Sequence, residues 1–234
     1  YEQALAIDRE IGDRRGEGAN LNNLGIAYAA LGETRKAIEF YEQALVIRRD
    51  AKHGDRRGEG IALGNLGSAY YSLGETRKSI EFYEQQLQIA REIGNSRGEG
   101  DALMGIGNAH DNLGESRKAI GFYEQALPIF HEIGDRRGEG STLGNIGSAY
   151  YSLGETRKSI EFYEQHLTIA RAIGDRRGEA TELWNMSLSL DKLGERARAI
   201  TSAEAALKIR EEIEDPNAEM TRRLLAAWRE EGKK

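Results

Sequence analysis

The sequence predicts an all-α solenoid, in which helix-turn-helix units stack on one another along the chain. Three observations carry that expectation. The loop GDRRGEG opens at Gly12 and returns letter for letter at Gly54 and Gly134, with weaker copies at Gly94 (GNSRGEG) and Gly174 (GDRRGEA). Between copies the apolar residues fall at three- and four-residue steps without strand-like alternation, the periodicity of amphipathic helices. The 28 glycines recur at fixed intervals beside only 2 prolines, so they punctuate packed units rather than loosen a linker.

Taken in order, Tyr1 to Ile11 matches the second helix of a unit whose first helix is absent, so the chain reads as part of a longer one. Five repeats follow, at 12–53, 54–93, 94–133, 134–173 and 174–213; the first is longer by two residues around Asp50 to His53. In the second repeat Ile61, Leu63, Leu66, Ala69, Tyr70 and Leu73 stripe a first helix, which Gly74 breaks. Ile80, Tyr83, Leu87, Ile89 and Ile93 stripe a second, closed by Gly94. Neither helix buries its face alone, so the units must stack. Segments 54–93 and 134–173 differ at six positions only. Ala37 and Ala119 alternate with Ser79 and Ser159, and Ala44 and Ala126 with Gln86 and His166, which suggests duplication of an 80-residue pair. Asp215 and Pro216 resemble a helix start. Met220, Leu224, Leu225 and Trp228 then stripe a helix over 217–231 that covers the last repeat.

The bulk composition narrows function. Net charge is −6, which argues against nucleic acid, whose phosphates call for a basic surface. No cysteine is present, excluding disulfides and thiolate metal sites and fitting an intracellular, cytoplasmic protein. No apolar run nears the roughly 20 residues of a membrane helix. His53, His110, His131 and His166 form no H-x-x-x-H pair, and neither a nucleophile elbow nor a calcium loop occurs. Glu39, Glu42, Glu81 and Glu84 read as solvated helix faces, with Arg77–Glu81 and Arg157–Glu161 as weak surface pairs. No catalytic site, metal or cofactor is expected. GDRRGEG lacks the Lys-Ser or Lys-Thr of a phosphate loop. Gly12 instead ends a helix, Asp13 caps the next, Glu17 sits at its positive end, and Gly16 and Gly18 allow close approach.

The framework Leu21-Asn22-Asn23-Leu24-Gly25-Ile26-Ala27-Tyr28, then Leu31-Gly32-Glu33, Ala37, Tyr41 and Ala44, resembles the tetratricopeptide repeat. It returns at Leu63/Gly67/Tyr70/Tyr83, Leu103/Gly107/Tyr123 and Leu143/Gly147/Tyr150/Tyr163. It decays in 183–207, where Ser187 and Ala203 stand for the glycine and tyrosine; the proline common at the end of the repeat is missing, while Pro128 lies inside a second helix. The 40-residue period is similar to the Pins/LGN group and to bacterial tetratricopeptide arrays. The resemblance implies a right-handed superhelix whose first helices line a concave groove.

On that face the asparagine column Asn23, Asn65, Asn145 and Asn185, interrupted by Gly105, offers paired donors and acceptors to a peptide backbone. Asparagine ladders in similar solenoids grip extended peptides, although each amide could equally tie adjoining repeats. Tyr71, Tyr151 and Trp184 add aromatic surface, and Asp101, Asn108 and Asp111 make the middle polar and acidic. Lys192 is the single cation of the face, so the carboxylate clamp known in this family is not expected. A neutral to basic protein or peptide segment is the expected partner. Two further accounts stay open: the sensor arm of a larger signalling ATPase or caspase-like protease, and a head-to-tail self-associating array.

Overall fold

The computed structural model describes residues 1–50 and 54–231, the side chain of residue 231 excepted; the expected insertion at Asp50 to His53 falls largely on 51–53, outside the described residues. Among the described residues all regular structure is helical: α1 (Glu2–Ile11), α2 (Arg14–Ala30), α3 (Thr34–Arg49), α4 (Arg56–Ser72), α5 (Thr76–Glu92), α6 (Ser96–Asn112), α7 (Ser116–Glu132), α8 (Arg136–Ser152), α9 (Thr156–Ala172), α10 (Arg176–Lys192), α11 (Arg196–Glu212) and α12 (Ala218–Glu231). The chain divides into two compact units, Tyr1–Lys118 and Ala119–Lys234.

Within each repeat the first helix is closed by a glycine. At Gly32, φ is +80°, its N–H donates to Ala29, and the Glu33 N–H reaches back to the Tyr28 carbonyl at 2.9 Å. This left-handed closure is strained for a residue with a Cβ and satisfies two otherwise orphaned carbonyls.

Turns between successive repeats are built by the GDRRGEG loop. Asp13, Asp55, Asn95, Asp135 and Asp175 each accept from the backbone N–H three residues on, at 2.8–3.2 Å. The loop glutamate does more than face a helix dipole. Glu17 accepts from Arg14 of its own loop at 2.5 Å and from Arg9 of the preceding helix at 2.8 Å. Glu59 is held likewise by Arg56 and Arg49, Glu139 by Arg136 and His131, and Glu179 by Arg176 and Arg171. In the weak copy, Ser96 replaces the loop arginine, Glu99 keeps only Arg91 of the pair, and its side chain is 26% exposed against 6% for Glu59. The anion this motif cradles is therefore its own glutamate.

In the first unit, Leu5, Leu21, Leu24, Ala44 and Ile47 form one cluster; Tyr41, Leu45, Leu63, Leu66, Tyr70 and Ile89 belong to another. Each large aliphatic side chain fully buried in such a core contributes about 1.5–3 kcal/mol. Tyr28 stacks on Phe40 and Tyr70 on Phe82, with centroids 5.2 Å apart, while Lys36 and Lys78 cover the open tyrosine faces. Identical positions differ at α1: Tyr1 is 64% exposed where Tyr41 is 4%, and Ile7 is 55% where Ile47 is 7%.

In the second unit, Tyr163, Leu167, Leu183, Met186 and Ile209 pack between α9, α10 and α11. Leu190, Ala199 and Ala203 meet Leu225 and Trp228 of α12. Arg210 is buried at this junction, donates to Thr221 Oγ1, and burial lowers its pKa against the pull of Asp215. Met220 stays exposed, so the apolar stripe of α12 is narrower than the sequence suggests. The surface pairs expected at Arg77–Glu81 and Arg157–Glu161 do not form among the described residues. Lys158 instead pairs backward with Glu155 at 2.5 Å, because the lysine leans toward the preceding turn.

Candidate functional site

The first helices α2, α4 and α6 lie side by side in the first unit, as α8 and α10 do in the second. Asn23, Asn65 and Asn108 are half-buried in the first unit. Asn65 Nδ2 donates to Asn22 Oδ1 at 2.8 Å, so at least this amide ties adjoining repeats together. The break in the column at Gly105 has a steric cause. The Tyr83 ring fills the space of its Cβ, which would lie 2.7 Å from the ring, and of that of Gly67 as well. Burial pushes the Tyr83 hydroxyl pKa up. Tyr71 is half-buried, Asp101 is exposed, and Asp111 accepts from Ser116 Oγ at 2.6 Å, which commits one carboxylate oxygen to the following turn.

In the second unit Asn145 and Asn185 are half-buried. Lys192 lies 4.3 Å from the Tyr151 ring centroid and donates to the Tyr151 carbonyl at 3.3 Å. Trp184 packs against the α9–α11 core, with the Arg210 guanidinium 5.0 Å from its ring centroid. Packing therefore already engages one side of the indole.

The sequence reading missed a pocket of about 190 Å³ in the first unit, between α4, the C-terminal part of α5 and α6. Ile61, Ile89 and Ile93 supply apolar wall; Gln86, Arg57 and Asp101 supply polar groups. Gln86 Oε1 is buried and has no hydrogen-bond partner. The signal was present in the alternation of Ala44, Gln86, Ala126 and His166. The long side chain goes where the facing first helix has glycine, Gln86 against Gly64 and His166 against Gly144. In the second unit, Glu182 stands beside His166, with Oε1 3.0 Å from Nδ1 and side chains 4% and 13% exposed. The two atoms are close without the alignment of a hydrogen bond. The residue of α6 matching Glu182 is Ala102, which is fully buried.

His110 meets Glu115 at 2.7 Å and His131 meets Glu139 at 3.1 Å; His53 lies outside the described residues. Among the described residues no group of three or more potential metal ligands gathers, and no helix is long and apolar enough to cross a membrane.

No curated protein matches the chain. Among solved structures, it resembles BtubC (BKLC) from P. vanneervenii at 21% identity, with TM-score 0.81 over 92% of this chain and 89% of that one. A Signal Transduction ATPase with Numerous Domains carrying a tetratricopeptide repeat sensor, from Pyrococcus horikoshii, gives 22% identity and TM-score 0.79 over 91% of this chain and 33% of that one. A Rap protein complexed with Competence and Sporulation Factor gives 17% identity and TM-score 0.73, over 86% and 56%. These likenesses establish shared architecture, an all-α solenoid of helix-turn-helix units. The tetratricopeptide repeat model matches residues 1–50, 58–132 and 138–212, and the chain belongs to the tetratricopeptide repeat family.

Proposed function

We propose that this chain is a non-catalytic protein-interaction scaffold that holds a peptide segment of a partner along its first helices, with Asn23, Asn65, Asn145 and Asn185 meeting the peptide backbone. The observation that carries this reading is that each unit sets half-buried amides and a tyrosine on adjoining first helices, Asn23, Asn65 and Tyr71 in one and Asn145, Tyr151 and Asn185 in the other. A half-buried amide can keep one hydrogen bond within the protein and offer the rest to a ligand. Tyr71, Tyr151 and Trp184 supply contact area, while Asp101, Asn108 and Asp111 favour a neutral to basic segment. The Rap protein in complex with its factor supports the reading by architecture. The test is affinity capture of partners, then calorimetry on the partner peptide. Asn65→Ala with Asn145→Ala is expected to weaken binding about tenfold or more; unchanged affinity in a folded double variant removes the amides from the site.

A second reading makes the array the sensor arm of a larger signalling protein. It is favoured by the ATPase above, since this chain matches only 33% of that structure. A nucleotide-binding or protease domain flanking the array in the intact gene product is its test. The exposed apolar face of α1 favours a self-association reading, which light scattering across a concentration series decides: a strict monomer rules it out.

A further inference from the structure

The pocket between α4, α5 and α6 carries chemistry that the row of amides does not use. Its wall is aliphatic, formed by Ile61, Ile89, Ala90 and Ile93. Ile61 is 49% exposed, and segment 134–173, which nearly repeats this one, folds with Ser141 in its place. The frame therefore does not require an aliphatic residue there; Ile61 adds apolar surface to the pocket without serving the core. Gly60 also lines the pocket, and a Cβ on it would meet only Ile89. At the matching Gly140 the His166 ring lies 2.8 Å from that point. The same stretch of wall is open in the first unit and covered in the second.

The rim is cationic. Two guanidiniums, Arg57 and Arg97, line the pocket against one carboxylate, Asp101. Arg97 and Asp101 each have an interaction of their own within the chain. Arg57 is exposed and has no ion pair or hydrogen bond among the described residues, whereas Arg56 before it is taken up by Glu59. Asn95 stands in the same lining, and its Oδ1 accepts from the Gly98 N–H, which leaves the amide NH2 as a donor. The lining thus offers unused donors and a net positive charge, while Asp101 and Asn95 Oδ1 are already engaged. That combination selects an anion, and the isoleucines select an aliphatic body. A guanidinium holds a carboxylate through charge-assisted hydrogen bonds. The volume of about 190 Å³ falls below the roughly 300–1,000 Å³ of sites for drug-sized ligands and corresponds to about six waters, which suits one short chain. We propose that this pocket binds a short branched-chain carboxylate, with its carboxylate at Arg57 and Asn95 and its methyl groups on Ile61, Ile89 and Ile93. The site gives the array a small-molecule input separate from its peptide face.

Calorimetric titration of the full chain with 4-methylpentanoate tests this, and saturable one-site binding is expected. Shortening the ligand to 3-methylbutanoate should weaken binding about fourfold, the loss for one buried methylene. The neutral 4-methylpentanamide should bind about tenfold more weakly or worse. L-Leucine, which adds an ammonium to the same skeleton, should also lose about tenfold, since the lining has no free carboxylate to receive it. Ile61→Ser installs the residue with which the second unit folds, and Arg57→Ala changes an exposed position; each is expected to weaken binding about tenfold. Absence of saturable binding by 4-methylpentanoate overturns the proposal, as do equal binding of the amide and undiminished binding by either folded variant. Binding of N-acetyl-L-leucine, which mimics a peptide end, without binding of 4-methylpentanoate overturns it too. The peptide-scaffold reading fails separately, through Asn65 and Asn145.

Discussion

Segments 54–93 and 134–173, one in each compact unit, are the same 40 residues with six changes, at 61/141, 62/142, 66/146, 86/166, 88/168 and 92/172. Most of these leave the packing as it was. Leu66 and Ile146 are both fully buried, a volume-conserving exchange. Thr142 adds a hydroxyl that folds back on the Gly138 carbonyl at 2.8 Å. The change that alters chemistry is Gln86 to His166, because the next first helix answers it with Ala102 in one unit and Glu182 in the other. One copy is left with a buried amide against glycine and the other with an imidazole beside a carboxylate. Function in such an array is therefore written in pairs of residues 16 apart, across a repeat boundary, while the frame is held constant.

The frame itself should show the largest effect. Tyr163 is almost fully buried against Gly147, whereas Tyr83 is half-buried between Gly67 and Gly105. Tyr163→Ala should lower stability by about 3–5 kcal/mol in urea unfolding, with Tyr83→Ala costing less. The buried contact between His166 and Glu182 comes next. His166→Gln changes the polar group set beside the buried Glu182 and should cost about 1–3 kcal/mol, the range for disturbing the partner of a buried polar group. Adding Glu182→Ala should recover part of that loss. Strict additivity in this double-mutant cycle would show that the two side chains do not interact.

The helices and their joints were legible because glycines, caps and apolar stripes are local signals at fixed spacing. Asp13 and its counterparts could be assigned as caps from the loop alone. What escaped was contact between segments that sequence spacing does not bring together. Glu17 looked like a dipole partner because Arg9, eight residues earlier on another helix, is invisible to an i,i+4 search. Gly105 looked like a gap in the asparagine column because Tyr83, which occupies its space, comes from the preceding repeat. Gln86 stands out by its alternation, but its setting depends on Gly64, on a helix that sequence spacing does not bring near it. Tyr71, Trp184 and the four asparagines were placed on first helices by periodicity alone, and their half-burial follows from neighbours on the adjoining helices.

The joints give the smaller effects. At Glu179 burial pushes the carboxyl pKa up, but hydrogen bonds from Arg171 and Arg176 outweigh it, and the pKa lies below the ordinary value. The folded state therefore binds that proton less readily than the unfolded chain. The stabilisation is complete above the unfolded-state pKa of about 4.3 and is lost as pH falls through the lower folded value. Glu179→Gln should remove about 1 kcal/mol at neutral pH and flatten the acid limb of a thermal-melt series; an unchanged limb would assign acid sensitivity to other carboxylates. Last comes position 92/172, where the first unit pairs Arg56 with Glu92 and the second has Ala172. Glu92 is exposed, its pKa held down chiefly by Arg56. Surface pairs of this kind exchange solvation for attraction almost evenly. Glu92→Ala, which copies the second unit into the first, should leave the unfolding midpoint unchanged within error at physiological salt. A measurable loss that disappears at 1 M salt would mean that Glu59, Arg56 and Glu92 act as one network, and that the two copies differ in stability as well as in chemistry.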